Sequence, residues 1–99
     1  MAKITIAIDE DLYELSVQFH QKKLNEIPEL LKIVDDKNLK EVESRVHKIK
    51  GVSASYGLDN LAVLASKMEK LAQDNNWTEA RNTILEMNDW LKDVEIVQE

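Results

Sequence analysis

The sequence has no cysteine, one proline and two glycines. Without cysteine there are no disulfides, no thiolate zinc sites and no cysteine nucleophile, which suits a cytoplasmic chain. So little proline and glycine leaves almost nothing for hairpin turns, and this argues against an all-β sandwich or barrel. Long apolar runs are missing too: none approaches the roughly 18 residues a membrane span needs. The opening MAKITIAIDED meets acids too soon to hold a signal peptide. Bases are outnumbered 13 to 19, for a net charge of −6, so nucleic acid is a poor candidate for the main partner.

What remains is 99 residues, 43% apolar and 32% charged, a balance that marks one soluble globular domain spanning residues 1–99. Ile4, Ile6 and Ile8 alternate with smaller or polar residues, a strand-like period. No second alternating segment is evident to pair with them, so residues 1–8 are expected to form an extended arm on the core. Four stretches of helical period follow. The first, about 10–35, carries Leu12, Leu15, Phe19, Ile27, Leu30, Leu31 and Val34 on one face, with Asp9 as N-cap and Pro28 inside it. The second, about 38–56, carries Leu39, Val42, Val46, Ile49 and Ser53 and stops at Gly57. The third starts behind Asp59 as N-cap and carries Leu61, Leu64, Met68 and Leu71. The fourth starts at Asn76, with Glu79 at capping-box spacing, and carries Trp77, Ala80, Ile84, Met87, Leu91 and Val94. The expected class is all-α: an antiparallel up-down-up-down four-helix bundle with a short extended N-terminal arm.

Charge is spread unevenly. Residues 37–50 hold five bases and two acids, a basic island on an acidic chain. Within it lies His47, one of two histidines. At about 100° per residue, His47 points roughly 135° away from the apolar stripe of its helix. It shares that outward face with Lys40, Glu43, Lys50, Gly51 and Ala54. A glycine inside an exposed helix costs about 1 kcal/mol relative to alanine, so Gly51 calls for a reason beyond helix propensity. Open space beside the imidazole is one reason; close helix packing is another. His20 also falls off its stripe, but Lys23, Leu24 and Ile27 follow it, and it reads as a boundary histidine without a role. With so few nitrogen ligands and no sulfur, no metal site is expected.

The segment 46–61, VHKIKGVSASYGLDNL, resembles the motif of the histidine-containing phosphotransfer (HPt) family: His, two residues, Lys-Gly, a run of small residues and a closing Gly. The resemblance covers nearly the whole chain, and its specific part is about a dozen positions. It implies a histidine phosphocarrier of a multistep phosphorelay, without autonomous catalytic activity. His47 is then the phosphoacceptor, taking a phosphoryl group from a receiver-domain aspartyl-phosphate and passing it to another receiver aspartate. Lys50 stabilises phosphoryl oxygens, and Glu69, on the next helix, orients the imidazole. Gly51, Ala54, Lys48, Lys40 and Glu43 form the docking face. The implied partners are receiver domains of response regulators or hybrid histidine kinases. No cofactor is implied on this chain, Mg²⁺ belonging to the receiver, and the protein is expected to be a cytoplasmic monomer. Val46, Lys48 and Val52 depart from the family pattern and bear on partner preference.

Three other readings stand beside this one. A sensor-kinase dimerisation domain usually has an acid directly after its histidine, where this chain has Lys48. A plain helical interaction module would not need His47, Lys50 and Gly51 together. The phosphotransfer input domain of a larger chemotaxis-type kinase would use the same residues.

Overall fold

The computed structural model describes residues 4–99, so the first three positions of the expected arm lie outside the described residues. Four helices follow one another: α1 (Glu10–Asp35), α2 (Leu39–Ser53), α3 (Asp59–Gln73) and α4 (Trp77–Asp93). A 3₁₀ turn, Ala54–Tyr56, extends α2. Two strands, β1 (Ile4–Ile8) and β2 (Val94–Gln98), flank the helices. The chain is a helical bundle with a small two-stranded sheet.

The three joins between helices are built alike. Lys37, Gly57 and Asn75 take left-handed φ values of 54°, 74° and 62°. The next N–H then turns back to the preceding helix: Asn38 to the Ile33 carbonyl (3.1 Å), Leu58 to Ser53 (2.9 Å) and Asn76 to Leu71 (2.8 Å). This Schellman pattern satisfies carbonyls that a helix end leaves unpaired. Asn38, Leu58 and Asn76 are at the same time the N-caps of the following helices. Asn38 and Asn76 accept from the Glu41 and Glu79 N–H groups, each at 3.3 Å, and Asp9 caps α1 through the Asp11 N–H. Joins this tight keep the end of each helix next to the start of the one that follows. The expected N-cap at Asp59 is corrected by one position: Leu58 fills that place because the turn at Gly57 already delivers it there.

The arm does find a partner. β1 pairs in parallel with β2, in register from Ile4 with Val94 to Ile8 with Gln98. Parallel strands need a long crossover, and here the crossover is the whole bundle. Val94 continues the apolar phase of α4, which hid the change from helix to strand; yet Val94, Ile96 and Val97 are β-branched and favour extended backbone. Ile8, Val94 and Ile96 are buried against the bundle end.

α3 lies at the centre, packed on both α2 and α4, while α1 packs along α4 and much less against α2. Leu58, Leu61, Met68, Ile84, Met87 and Leu91 are fully buried. Leu12 and Leu15, expected in the core, are 38% and 49% exposed. His20 is not idle: its Nε2–H donates to the Leu91 carbonyl at 2.6 Å. That carbonyl lies in the last turn of α4, where no further helical N–H can reach it, so the histidine caps α4 and ties it to α1.

Gly57 carries the densest constraint. A Cβ there would collide with Ile8 Cδ1 and lie 3.2 Å from Ile6 Cγ2, on a left-handed backbone. Gly57→Ala should therefore lower stability by about 2 kcal/mol, from the left-handed penalty and the overpacking together. Urea unfolding measures it; an unchanged midpoint would contradict this account of the join.

Candidate functional site

α2 buries Val42, Val46, Ile49 and Ser53 to 2% exposure or less. The spacing that seats these four leaves Lys40, Glu43, His47, Lys50, Gly51 and Ala54 on the solvent side, and all six are exposed. At Gly51 an added Cβ would meet no atom within 4 Å. Gly51 is therefore not a packing glycine, and the surface one turn beyond the imidazole is open.

The charges near His47 divide into two sets. Arg45 is engaged: Nη2 lies 2.7 Å from Glu29 Oε1 on α1, and Nε lies 3.6 Å from Glu41 Oε2. The hydrogen bond and charge of Arg45 hold the Glu29 carboxyl below its ordinary value. The same hydrogen bond raises the Arg45 guanidinium. Any stability from the Glu29 end is thus present at neutral pH and lost as pH falls through the depressed value. Lys40, Lys48 and Lys50, by contrast, enter no ion pair among the described residues. The basic island keeps its lysines free, while its arginine serves the contact between α1 and α2.

On the other side of His47 the surface belongs to α3. Gln73 Nε2 donates to Glu43 Oε2 at 2.9 Å. Glu43 lies in the first half of α2 and Gln73 ends α3, so the pair doubles back through the short Ala54–Leu58 join. Glu69, one turn before Gln73, is then level with His47, one turn after Glu43. Glu69 is half-buried, and among the described residues no hydrogen bond links it to His47.

Between α1 and α2 runs a groove of about 590 Å³, lined by residues that include Leu15, Phe19, Lys22, Lys48, Val52 and Tyr56. The Phe19 and Tyr56 rings are tilted at 46° with centroids 5.2 Å apart. Lys23 covers Phe19 at 5.1 Å and is tethered to Glu26 at 2.9 Å. Lys48 lines the groove and directly follows His47, so the two surfaces are continuous. Leu15 lines this groove, which accounts for its exposure. Its only sequence signal is that Leu15 sits at the edge of the α1 stripe rather than at its centre.

Among the described residues, no group of three or more His, Asp or Glu side chains is arranged to hold a metal ion. No described helix is long and apolar enough to cross a membrane. The open glycine yields a direct check. Glutamine is nearly as good a helix former as alanine, and glycine is worse by about 0.5–1 kcal/mol. Gly51→Gln should leave the melting temperature unchanged or raise it by a few degrees in a domain of this size; a drop would mean that Gly51 is packed after all.

The Hpt domain family model matches residues 11–96. No curated protein and no solved structure matches the chain.

Proposed function

The chain belongs to the Hpt domain family, whose members carry phosphoryl groups in phosphorelay signalling and interact with receiver domains, and on that footing we propose that His47 is its phosphoacceptor. The observation that carries the assignment is the open surface at this histidine: an exposed imidazole, a glycine whose added Cβ would meet no side chain within 4 Å, and lysines free of ion pairs among the described residues. His20 offers no such access, because its ring is spent on the Leu91 carbonyl.

In this reading Nε2 of His47 attacks the phosphorus of an aspartyl-phosphate in a receiver domain. The Nε2–P bond forms as the bond from phosphorus to the aspartyl oxygen breaks. The carboxylate leaves with the electron pair, and the proton on Nδ1 stays on the ring. Attack by a second receiver's carboxylate runs the same step in reverse. Such transfer needs positioning and charge stabilisation more than covalent help. Lys50, one turn on, neutralises phosphoryl oxygens. Glu69, level with His47 across the helix pair, orients the imidazole.

Gly51 and Ala54 keep the relief low for a receiver, with Glu43 at the edge of the same face. Lys40 and Lys48 steer the receiver's acidic, Mg²⁺-binding surface toward His47. The groove between α1 and α2 takes an apolar part of the same partner, which can belong to a response regulator or a hybrid histidine kinase. The chain acts as a single-domain, monomeric, cytoplasmic carrier on an antiparallel up-down-up-down bundle, and the receiver supplies the metal.

Incubation with a panel of phosphorylated receiver domains tests the reading. Label should pass to this chain, be lost in acid and survive alkali, as a phosphoramidate does. His47→Gln should abolish labelling and His20→Gln should retain it; full labelling of the His47 variant would sink the assignment. Gly51→Gln, though stable, should transfer poorly.

Charge makes a separate check. Lys50→Ala should slow transfer or shorten the phosphohistidine lifetime with little change in melting, because exposed charges contribute little stability. Raising salt should slow association, since steering is screened over about 10 Å at 0.1 M ionic strength. A transfer rate indifferent to both would contradict the electrostatic role.

A further inference from the structure

Four cations line the groove between α1 and α2, Lys22, Lys23, Arg45 and Lys48, against two anions, Glu26 and Glu41. Two of the cations are already answered. Lys23 Nζ lies 2.9 Å from Glu26, and Arg45 lies 2.7 Å from Glu29 and 3.6 Å from Glu41. Lys22 on α1 and Lys48 on α2 are exposed and enter no ion pair among the described residues. We propose that these two lysines, one on each helix of the groove, select the receiver: they fit a partner helix whose apolar side enters the groove and which carries a carboxylate on each flank. This deepens the receiver-docking reading and rests on it.

Three observations carry it. The first is charge. The chain as a whole is at −6, so most of its surface repels an acidic segment, whereas the groove has more cations than anions and its surplus rests on Lys22 and Lys48. The second is shape. Leu15 is 49% exposed in the groove, and the Phe19 and Tyr56 rings line it 5.2 Å apart. An apolar groove between two helices takes a third helix by its apolar side. The third is continuity with the phosphoacceptor. At about 100° per residue, Ser44 and Gly51 fall between Lys48 and His47 around α2, one turn before and one turn after the imidazole. Ser44 lines the groove, and a Cβ added at Gly51 would meet nothing within 4 Å. A helix seated in the groove therefore meets low relief on the side that leads to His47.

An exposed ion pair adds little affinity by itself. Selection comes from the mismatch: a receiver with a lysine at either flank brings like charges together over an apolar surface from which water is being excluded. Lys23 and Arg45 do not make this selection, because their charges are balanced within the chain. Lys22 lies 25 residues before His47, outside the motif, so partner choice is set partly by a residue that has no share in the transfer itself.

Titration of the chain with each receiver of the panel tests the pair, read as Kd and as the receiver concentration that gives half-maximal transfer. At low salt, Lys22→Glu and Lys48→Glu should each raise both by about three- to tenfold, as one exposed attraction becomes a repulsion. The maximal rate should change much less, and high salt should shrink the difference. Lys92→Glu makes the same charge change at an exposed position of α4, outside the groove, and should leave both values where they were. When the acidic residues of the tightest receiver are changed to lysine one at a time, one of them should bind Lys22→Glu better than the unaltered chain. Lys22→Glu and Lys48→Glu chains that bind as the Lys92→Glu chain does would overturn the proposal and leave the phosphocarrier reading standing. If no receiver binds or labels the unaltered chain, that reading fails, and the proposal fails with it.

Discussion

The burial of one stripe of α2 determines where everything else on that helix must go. Val42, Val46 and Ile49 are almost fully buried, and each such side chain contributes about 1.5–3 kcal/mol relative to exposure. Turning α2 by one residue would bring some of them out and drive lysines in. That cost is comparable to the whole stability of a small domain, about 5–15 kcal/mol. The outward direction of His47 is therefore a consequence of packing on the far side of its helix. The face of α2 that carries His47 is fixed by side chains on the opposite side of the helix.

The same economy appears in the glycines and the charges. Gly57 is needed for its left-handed backbone and for the room that Ile8 and Ile6 take; a Cβ added at Gly51 would meet no side chain within 4 Å. One glycine serves the fold, and the other leaves a surface clear. Arg45 is bound to Glu29 and Glu41, holding α1 to α2 beside the groove. Lys40, Lys48 and Lys50 enter no ion pair among the described residues. The contact between helices and the free charge thus fall on different side chains within residues 37–50.

Much of this was legible in the sequence because it depends on local periodicity. The stripes of α2, α3 and α4, the caps at Asp9 and Asn76 and the stop at Gly57 follow from spacing and residue type, and all are found where expected. The departures are tertiary. β2 was hidden because Val94 stays in phase with α4 and its partner strand lies at the other end of the chain. Leu12 and Leu15 share the α1 stripe, yet α1 lies along α4 and leaves Leu15 at a groove that no local pattern reveals. His20 read as idle because its partner, the Leu91 carbonyl, belongs to backbone that only the folded α4 presents. At the site, His47, Lys50 and Gly51 were visible as a motif. Gln73 was not, because its bond to Glu43 joins residues that come together only when α2 and α3 double back.

Site-localising mass spectrometry at neutral pH, on the chain labelled by a phosphorylated receiver domain, tests the central claim most directly. The account predicts a single phosphohistidine, at His47. Phosphate on His20 or on any other side chain, or a chain that remains unlabelled by every receiver, would contradict it.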